Sequence, residues 1–400
     1  MSGPRVRSIA LRNLSRFNHL ELTFNDRFNL ICRTNGIGKS TILNSIASSF
    51  VGNRVLEELR RNANAEEGSI SAEITHNGDT YRPSGAVKAF EPGERVTPFG
   101  IAELAPYLLY LQPNRDFAYV SLSAIAKDDV TGRKEAEARA LHGVTTGSIK
   151  NWLANRWLFQ PRSEFWPPYQ VSNFATAVAC FSILDPEIRL SHVNTATYEV
   201  MVDTPSGLIP FEYLSSGFRV SYAVLLGLIK EIETRDVERS AADFPGIILI
   251  DELDLHLHPT WQQRFPSAIR TVFPKAQIIA TTHSPHMVQT AGPGEVIAIV
   301  EGPDGWPMVA TDQSTEYGYV GWTVDEILTN VMGVEDARST EYRAAILYFD
   351  EALDREDVEA AAGALATLEV MLHPNSNLKK LLRLQAAGLG VKIDPTPQTS

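Results

Sequence analysis

The hydrophobic and polar positions of this chain predict an α/β protein. Residues 6–11, 20–24 and 28–32 read as three short strands, with Asn25-Asp26 as a hairpin-type turn between the last two. A helical pattern runs from Ser40 to about Asn53. Residues 69–82 alternate around Asn77-Gly78 and predict a second hairpin, whereas 83–100 are rich in Pro and Gly and read as loop. Residues 108–111, 246–250, 276–281 and 296–300 are short, unbroken apolar runs, the pattern of strands buried on both faces of a parallel sheet. Residues 197–202 read as one more strand. Helical periodicity covers 123–159, 172–184 after the Pro167-Pro168 break, 220–234, and most of the chain from about 320 to 389. The polar end, 394–400, carries two prolines and is expected to be disordered.

Four hundred residues exceed one ordinary core, so two or more lobes are expected. The net charge of −12 argues against a whole-surface affinity for nucleic acid but leaves room for a local basic patch. Two cysteines, Cys32 and Cys180, give no disulfide framework and no cysteine-rich metal site. The N-terminus lacks the apolar core of a signal peptide, and no run of 18 apolar residues is present. A soluble, cytoplasmic protein without a membrane segment is expected.

Four segments carry candidate chemistry. Arg33-Thr34-Asn35-Gly36-Ile37-Gly38-Lys39-Ser40-Thr41 follows a strand and opens a helix. Such a loop turns backbone N–H groups toward phosphate oxygens, with Lys39 reaching the terminal phosphates and Ser40 placed on Mg²⁺. Its usual first glycine is replaced by Arg33, which leaves three readings: a tolerated variant, a weakened site, or a scaffold that binds nucleotide with little hydrolysis. The run at 247–250 ends in Asp251-Glu252, delivering two carboxylates to a strand end: Asp251 for Mg²⁺, Glu252 as general base for the attacking water. Ser215-Ser216-Gly217 precedes a helix and offers hydroxyls and N–H groups to an anion. His283, just past the strand at 276–281, is placed to donate a hydrogen bond to a γ-phosphate. Gln112 is a further candidate for the Mg²⁺ shell. His256 and His258, two apart without cysteines, are a weak zinc pattern.

Order and spacing of these segments resemble the ABC-type ATPase heads of the SMC, Rad50 and RecF group. The stretch Asp251-Glu252-Leu253-Asp254-Leu255-His256-Leu257-His258-Pro259-Thr260-Trp261-Gln262 is similar to compact bacterial antiphage ATPases related to the overcoming-lysogenisation proteins, such as the Septu and PARIS ATPase subunits. The resemblance implies a P-loop ABC-type head with a mixed sheet. The resemblance covers residues 5–60 and 205–335; with the helical patterns it gives an N-terminal head part with the phosphate loop (1–122), a helical insertion (123–190), a C-terminal head part with signature, acids and His switch (191–320), a helical partner-docking region (321–393) and a tail (394–400). It also implies ATP and Mg²⁺ as ligands and a homodimer or higher oligomer, in which Ser215, Ser216 and Gly217 of one subunit complete the site of another. No second catalytic centre is visible, so a separate effector, a nuclease, is expected, with DNA or a phage protein as trigger. A RecF-like DNA-binding repair ATPase and a transporter's nucleotide-binding subunit are the competing readings.

Overall fold

A computed structural model describes residues 3–392 except 33–37, 55, 57–58, 114–120, 129, 145–147, 236 and 335–337. It divides into two compact units, residues 1–334 and 335–400.

The larger unit opens with β1 (Arg5–Leu14), β2 (Phe17–Thr23) and β3 (Phe28–Cys32), followed by α1 (Lys39–Ser48). β1 and β2 form the first hairpin, paired from Ser8↔Thr23 to Leu14↔Phe17. The turn expected at Asn25-Asp26 is therefore not a hairpin turn. β3 leaves that sheet and enters another, because all five of its residues are buried and both its faces need cover. Asn25 makes the change of direction: its Oδ1 accepts from the N–H groups of Arg27 (2.9 Å) and Phe28 (3.0 Å). β4 (Gly68–His76) and β5 (Asp79–Tyr81) form the second hairpin around Asn77-Gly78, both with positive φ, as a type I′ turn requires. β6 (Ser84–Val87) also pairs with β4, so part of the Pro/Gly-rich stretch is strand rather than loop. These strands make a five-stranded antiparallel sheet.

β7 (Leu108–Leu111) lies at the edge of the central sheet. Residues 121–130 carry no helix where described; the helical insertion begins at α2 (Arg133–His142) and continues through α3 (Ile149–Phe159) and α4 (Pro168–Leu184). Pro168 does not break this last helix but starts it, at the turn where its missing N–H costs nothing. A small antiparallel sheet follows, β8 (Arg189–Val193), β9 (Val200–Thr204) and β10 (Gly207–Pro210); only the middle strand was foreseen, with its start at 197 corrected to Val200. Then come α5 (Ser216–Thr234), β11 (Ile247–Ile250), α6 (Pro259–Val272), β12 (Gln277–Thr282), α7 (Pro285–Val288), β13 (Val296–Glu301), β14 (Pro307–Val309) and the short α8 (Val324–Glu326).

The central sheet runs β14-β13-β3-β12-β11-β7, parallel throughout except for β14. Alternate residues of its strands point to opposite faces. Leu30, Leu109, Ile248, Ile250 and Ile278 enter one core with α4, α5 and α6. Ile31, Leu108, Tyr110, Ile247 and Ile279 enter another with α1 and the antiparallel sheet. This double burial explains the unbroken apolar runs. The insertion shares the first core through Trp152, Phe174 and Phe181 and is part of the head. Ile327, Val331 and Met332 also join that core, so residues 321–334 belong with the larger unit rather than with the C-terminal helices. The smaller unit is a three-helix bundle of α9 (Thr340–Asp354), α10 (Val358–Met371) and α11 (Asn377–Gly388) around Phe349, Leu365, Leu368 and Leu382.

One buried ion network ties α5 to α2 and to the start of β7. Glu231 accepts from Arg235 Nε at 3.0 Å and from Arg139 at 2.5 Å, and the carboxylate is 1% exposed. Arg235 also donates to the carbonyls of Ala105 and Leu108. Removing one member leaves a buried charge uncompensated. Glu231→Ala is expected to lower stability by about 3–5 kcal/mol in urea denaturation; a loss below about 1 kcal/mol, the size of an exposed pair, would show that the network is energetically neutral.

Candidate nucleotide site

The site is built where four adjacent parallel strands, β3, β12, β11 and β7, end. The register aligns Cys32 with Thr282, and Ile250 with both Ala280 and Leu111. Whatever follows each strand is therefore delivered to one edge of the sheet, the crevice where open α/β sheets bind ligands.

From β3 the chain enters the expected phosphate loop. Arg33, Thr34, Asn35, Gly36 and Ile37 lie outside the described residues. Gly38 holds φ +96, a left-handed conformation suited to glycine, and begins α1. Lys39 is 6% exposed at the first turn, whereas Ser40 faces solvent. Burial holds the Lys39 ammonium down at about 8, against the pull of Asp254, Asp251 and Glu252. Its Nζ lies 3.1 Å from His283 Nδ1. A lysine ammonium can only donate, so a neutral His283 accepts at Nδ1 and carries its proton on Nε2. That tautomer leaves a ring N–H for a phosphate oxygen or a water. Beneath the loop, burial also pushes the Cys32 thiol up to about 12, consistent with an inert packing group.

Asp251 follows β11, is 1% exposed, and its backbone N–H donates to Leu111 O at 2.9 Å. Thr281, fully buried on β12, donates its hydroxyl to Asp251 Oδ1 at 2.5 Å and accepts from the Glu252 N–H at 2.7 Å. One hydroxyl thus fixes the Asp251 carboxylate and the backbone that carries Glu252. Glu252 holds φ +50, a left-handed conformation that costs a non-glycine residue of order 1 kcal/mol. The Thr281 contact holds the backbone in this strained turn.

The sequence did not single out Thr281 or two further positioning residues. Asp254 Oδ1 accepts from Thr282 Oγ1 at 2.7 Å and from the His283 N–H at 3.0 Å, fixing the backbone that carries the imidazole. Gln262 accepts from Ser284 Oγ at 2.7 Å and donates to Leu257 O at 2.8 Å. Both acids and amides of this kind occur everywhere; only the pairing of β11 with β12 gives them partners.

Gln112 leaves β7 beside Asp251, and its Nε2 donates to Leu141 O at 2.8 Å, so α2 sets the orientation of the amide. Ser215 is the N-cap of α5, and Ser215 and Ser216 are exposed. Gly217 is buried: a Cβ there would meet Trp261 Cδ1 at 3.6 Å and the backbone of His256 and His258 at 3.8 Å. The Phe218 ring stands edge-on to Trp261 at 4.3 Å. The signature therefore packs on the segment that follows the acids. His258 caps α6 through Thr260 N–H, and His256 is exposed at φ +63. The donor set of Ser40 hydroxyl and Asp251 carboxylate is hard oxygen chemistry and fits Mg²⁺ beside a triphosphate.

Thr281→Val keeps the volume and removes the hydroxyl. Turnover should fall by about 10–100-fold, the usual loss for a residue that orients a reacting group, read by phosphate release; an unchanged rate would leave the acids oriented by other means. Lys39 has a separate signature. Its pKa in the fold lies below the unfolded value of 10.5, so its charged form is disfavoured in the folded state and stability rises as pH climbs from about 8 toward 10.5. A bound polyanion restores that charge. Nucleotide binding at about pH 8.5 should therefore take up a proton, seen by calorimetry in buffers of different ionisation enthalpy, and affinity should weaken above pH 8; binding without proton uptake would contradict the assignment.

Comparison with known proteins agrees with this geometry. The family described as "AAA domain, putative AbiEii toxin, Type IV TA system" matches residues 34–288. The Septu protein PtuA of Bacillus thuringiensis is 39% identical over 394 residues, covering 97% of this chain and 99% of that protein. A second Septu protein PtuA, from Bacillus mycoides, is 23% identical over 80% of this chain and 43% of its own length. The Retron Ec83 probable ATPase of Escherichia coli is 33% identical over 113 residues, 28% of this chain and 21% of that one. No helix among the described residues is long and apolar enough to cross a membrane. With near-complete coverage of a PtuA protein and a parallel sheet that gathers Lys39, Asp251, Glu252 and His283 at one edge, the chain belongs to the Septu PtuA family of antiphage ATPases, built on a P-loop α/β fold.

Proposed function

We propose that this chain hydrolyses ATP in a nucleotide-gated homodimer or higher oligomer, and that it works in the cytoplasm as the sensing subunit of a defence system controlling a separate effector nuclease. The observation that carries the reading is the arrangement at the strand ends: Lys39 against His283, and Asp251 and Glu252 joined through Thr281.

In this proposal Gly38, Lys39, Ser40 and Thr41, with the preceding residues from Arg33, hold the triphosphate. Ser40 and Asp251, with Gln112, hold Mg²⁺, which supplies charge neutralisation at the phosphates. Glu252 orients and deprotonates the attacking water. His283 donates from Nε2, with Lys39 and the Asp254 contact keeping the ring in place. Retention of all these groups supports hydrolysis over a binding scaffold, despite Arg33. Ser215 and Ser216 face solvent at the N-terminus of a 19-residue helix, and neither hydroxyl is used as a cap. That exposure suits capture of a γ-phosphate bound to another subunit. ATP then has affinity for the closed assembly that it lacks for the open one, the condition for a ligand to drive a switch.

Glu252→Gln removes the base and keeps the shape. The expected outcome is a fall in turnover of at least about 100-fold, with ATP retained in a larger assembly on size-exclusion chromatography. Unchanged turnover would remove Glu252 from this role.

A further inference from the structure

The parallel strands have a second end. Arg27 precedes β3, Pro245 stands just before β11 and Lys275 just before β12. These three strand starts border an open cleft of about 670 Å³, lined also by Arg5, Arg7, Asp26 and His76. It lies a strand's length, about 15–20 Å, from the nucleotide site.

The cleft is positive in a chain whose net charge is −12. Arg5 and Arg7 lie two residues apart on β1, Arg7 at the irregularity in its pairing with β4, and both line the cleft. Arg5 is fixed to the strand starts, donating to Pro245 O at 2.6 Å and Lys275 O at 2.7 Å. Arg7 pairs with Asp26, and Lys275 with Asp243 at 2.7 Å, both at the surface. Arg27 is exposed and makes no ion pair among the described residues. Four cations thus meet two carboxylates. Burial holds the Arg5 guanidinium below its usual range; Asp26 opposes this, and Arg7 and Arg27 add to it. His76 lines the same cleft, and its Nδ1 is shut from solvent with no hydrogen-bond partner. Gathering like charges has an electrostatic cost that a bound anion removes.

A clamp role for Arg5 explains its carbonyl contacts but not the convergence of Arg7, Arg27 and Lys275 on the same opening. Three guanidinium forks match phosphate geometry better than a point charge does. Among the described residues no Phe, Tyr or Trp lines the cleft, so none of them stacks a base there. We propose that this cleft is a phosphate-binding site separate from the nucleotide site, which binds the phosphate group of a free anion or mononucleotide, or of a nucleic-acid backbone.

The test uses the full chain carrying Lys39→Ala, which disables the nucleotide loop, with and without Arg27→Glu/Lys275→Glu. Both reversed residues are exposed and outside the catalytic machinery. Inorganic phosphate, AMP and an oligonucleotide of about 12 nucleotides are titrated separately. The proposal expects at least one probe to bind, and charge reversal to weaken it by about tenfold or more, with the melting temperature held within about 2 °C. Binding by phosphate and AMP assigns a free anion; binding by the oligonucleotide alone assigns a backbone. Failure of all three probes, or affinity untouched by charge reversal, overturns the proposal. If the double variant does not fold, Arg27→Gln gives the same reading.

Discussion

The Thr281 hydroxyl is the interaction on which the geometry of the proposed site turns. It donates to Asp251 and accepts from the backbone of Glu252, so one buried group on β12 holds the Asp251 carboxylate and the turn that carries Glu252 at the end of β11. The contact exists only because β11 and β12 pair in parallel, with Ile250 beside Ala280. That pairing in turn requires strands covered on both faces, which α5 and α6 provide on one side and α1 with the antiparallel sheet on the other. Local chemistry and global packing are one constraint here. A shift of one residue between these strands would turn their apolar side chains to the wrong cores and move the acids away from the lysine.

The same logic links the site to its surroundings. α5 carries the exposed serines at one end and the Glu231–Arg235 pair at the other. Arg235 grips the carbonyls at the start of β7, and β7 ends next to Gln112. At its other end, α5 packs Phe218 on Trp261, in the segment that follows the catalytic acids. The signature helix is thus bonded at both ends to elements that lead to the nucleotide. In the proposed oligomer this is a physical route by which occupancy of the site would bias the face offered to another subunit.

Much of this was legible in the sequence. The apolar runs at 108–111 and 247–250 became buried strands because a strand covered on both faces has no polar alternation to disguise it. Asp251, Glu252 and His283 were visible because they follow such runs directly. Asn25-Asp26 misled because turn chemistry does not say which strands the turn joins; the burial of β3 decided that. β6 and β10 were missed because Gly and Pro at a sheet edge look like loop. Thr281 was given no role, and Asp254 and Gln262 entered only within the resembling stretch, because their contacts lie 22–30 positions away in the chain.

The central claim is that the site has two halves on different subunits. Mixing two inactive chains tests it most directly: one with Lys39→Ala, which spoils the phosphate loop, and one with Ser216→Arg, which blocks the signature. Each alone should hydrolyse ATP negligibly. The account predicts that the mixture regains a substantial share of turnover, because one intact composite site forms per mixed pair. A mixture as inactive as its parts, or a Ser216→Arg chain fully active by itself, would contradict it.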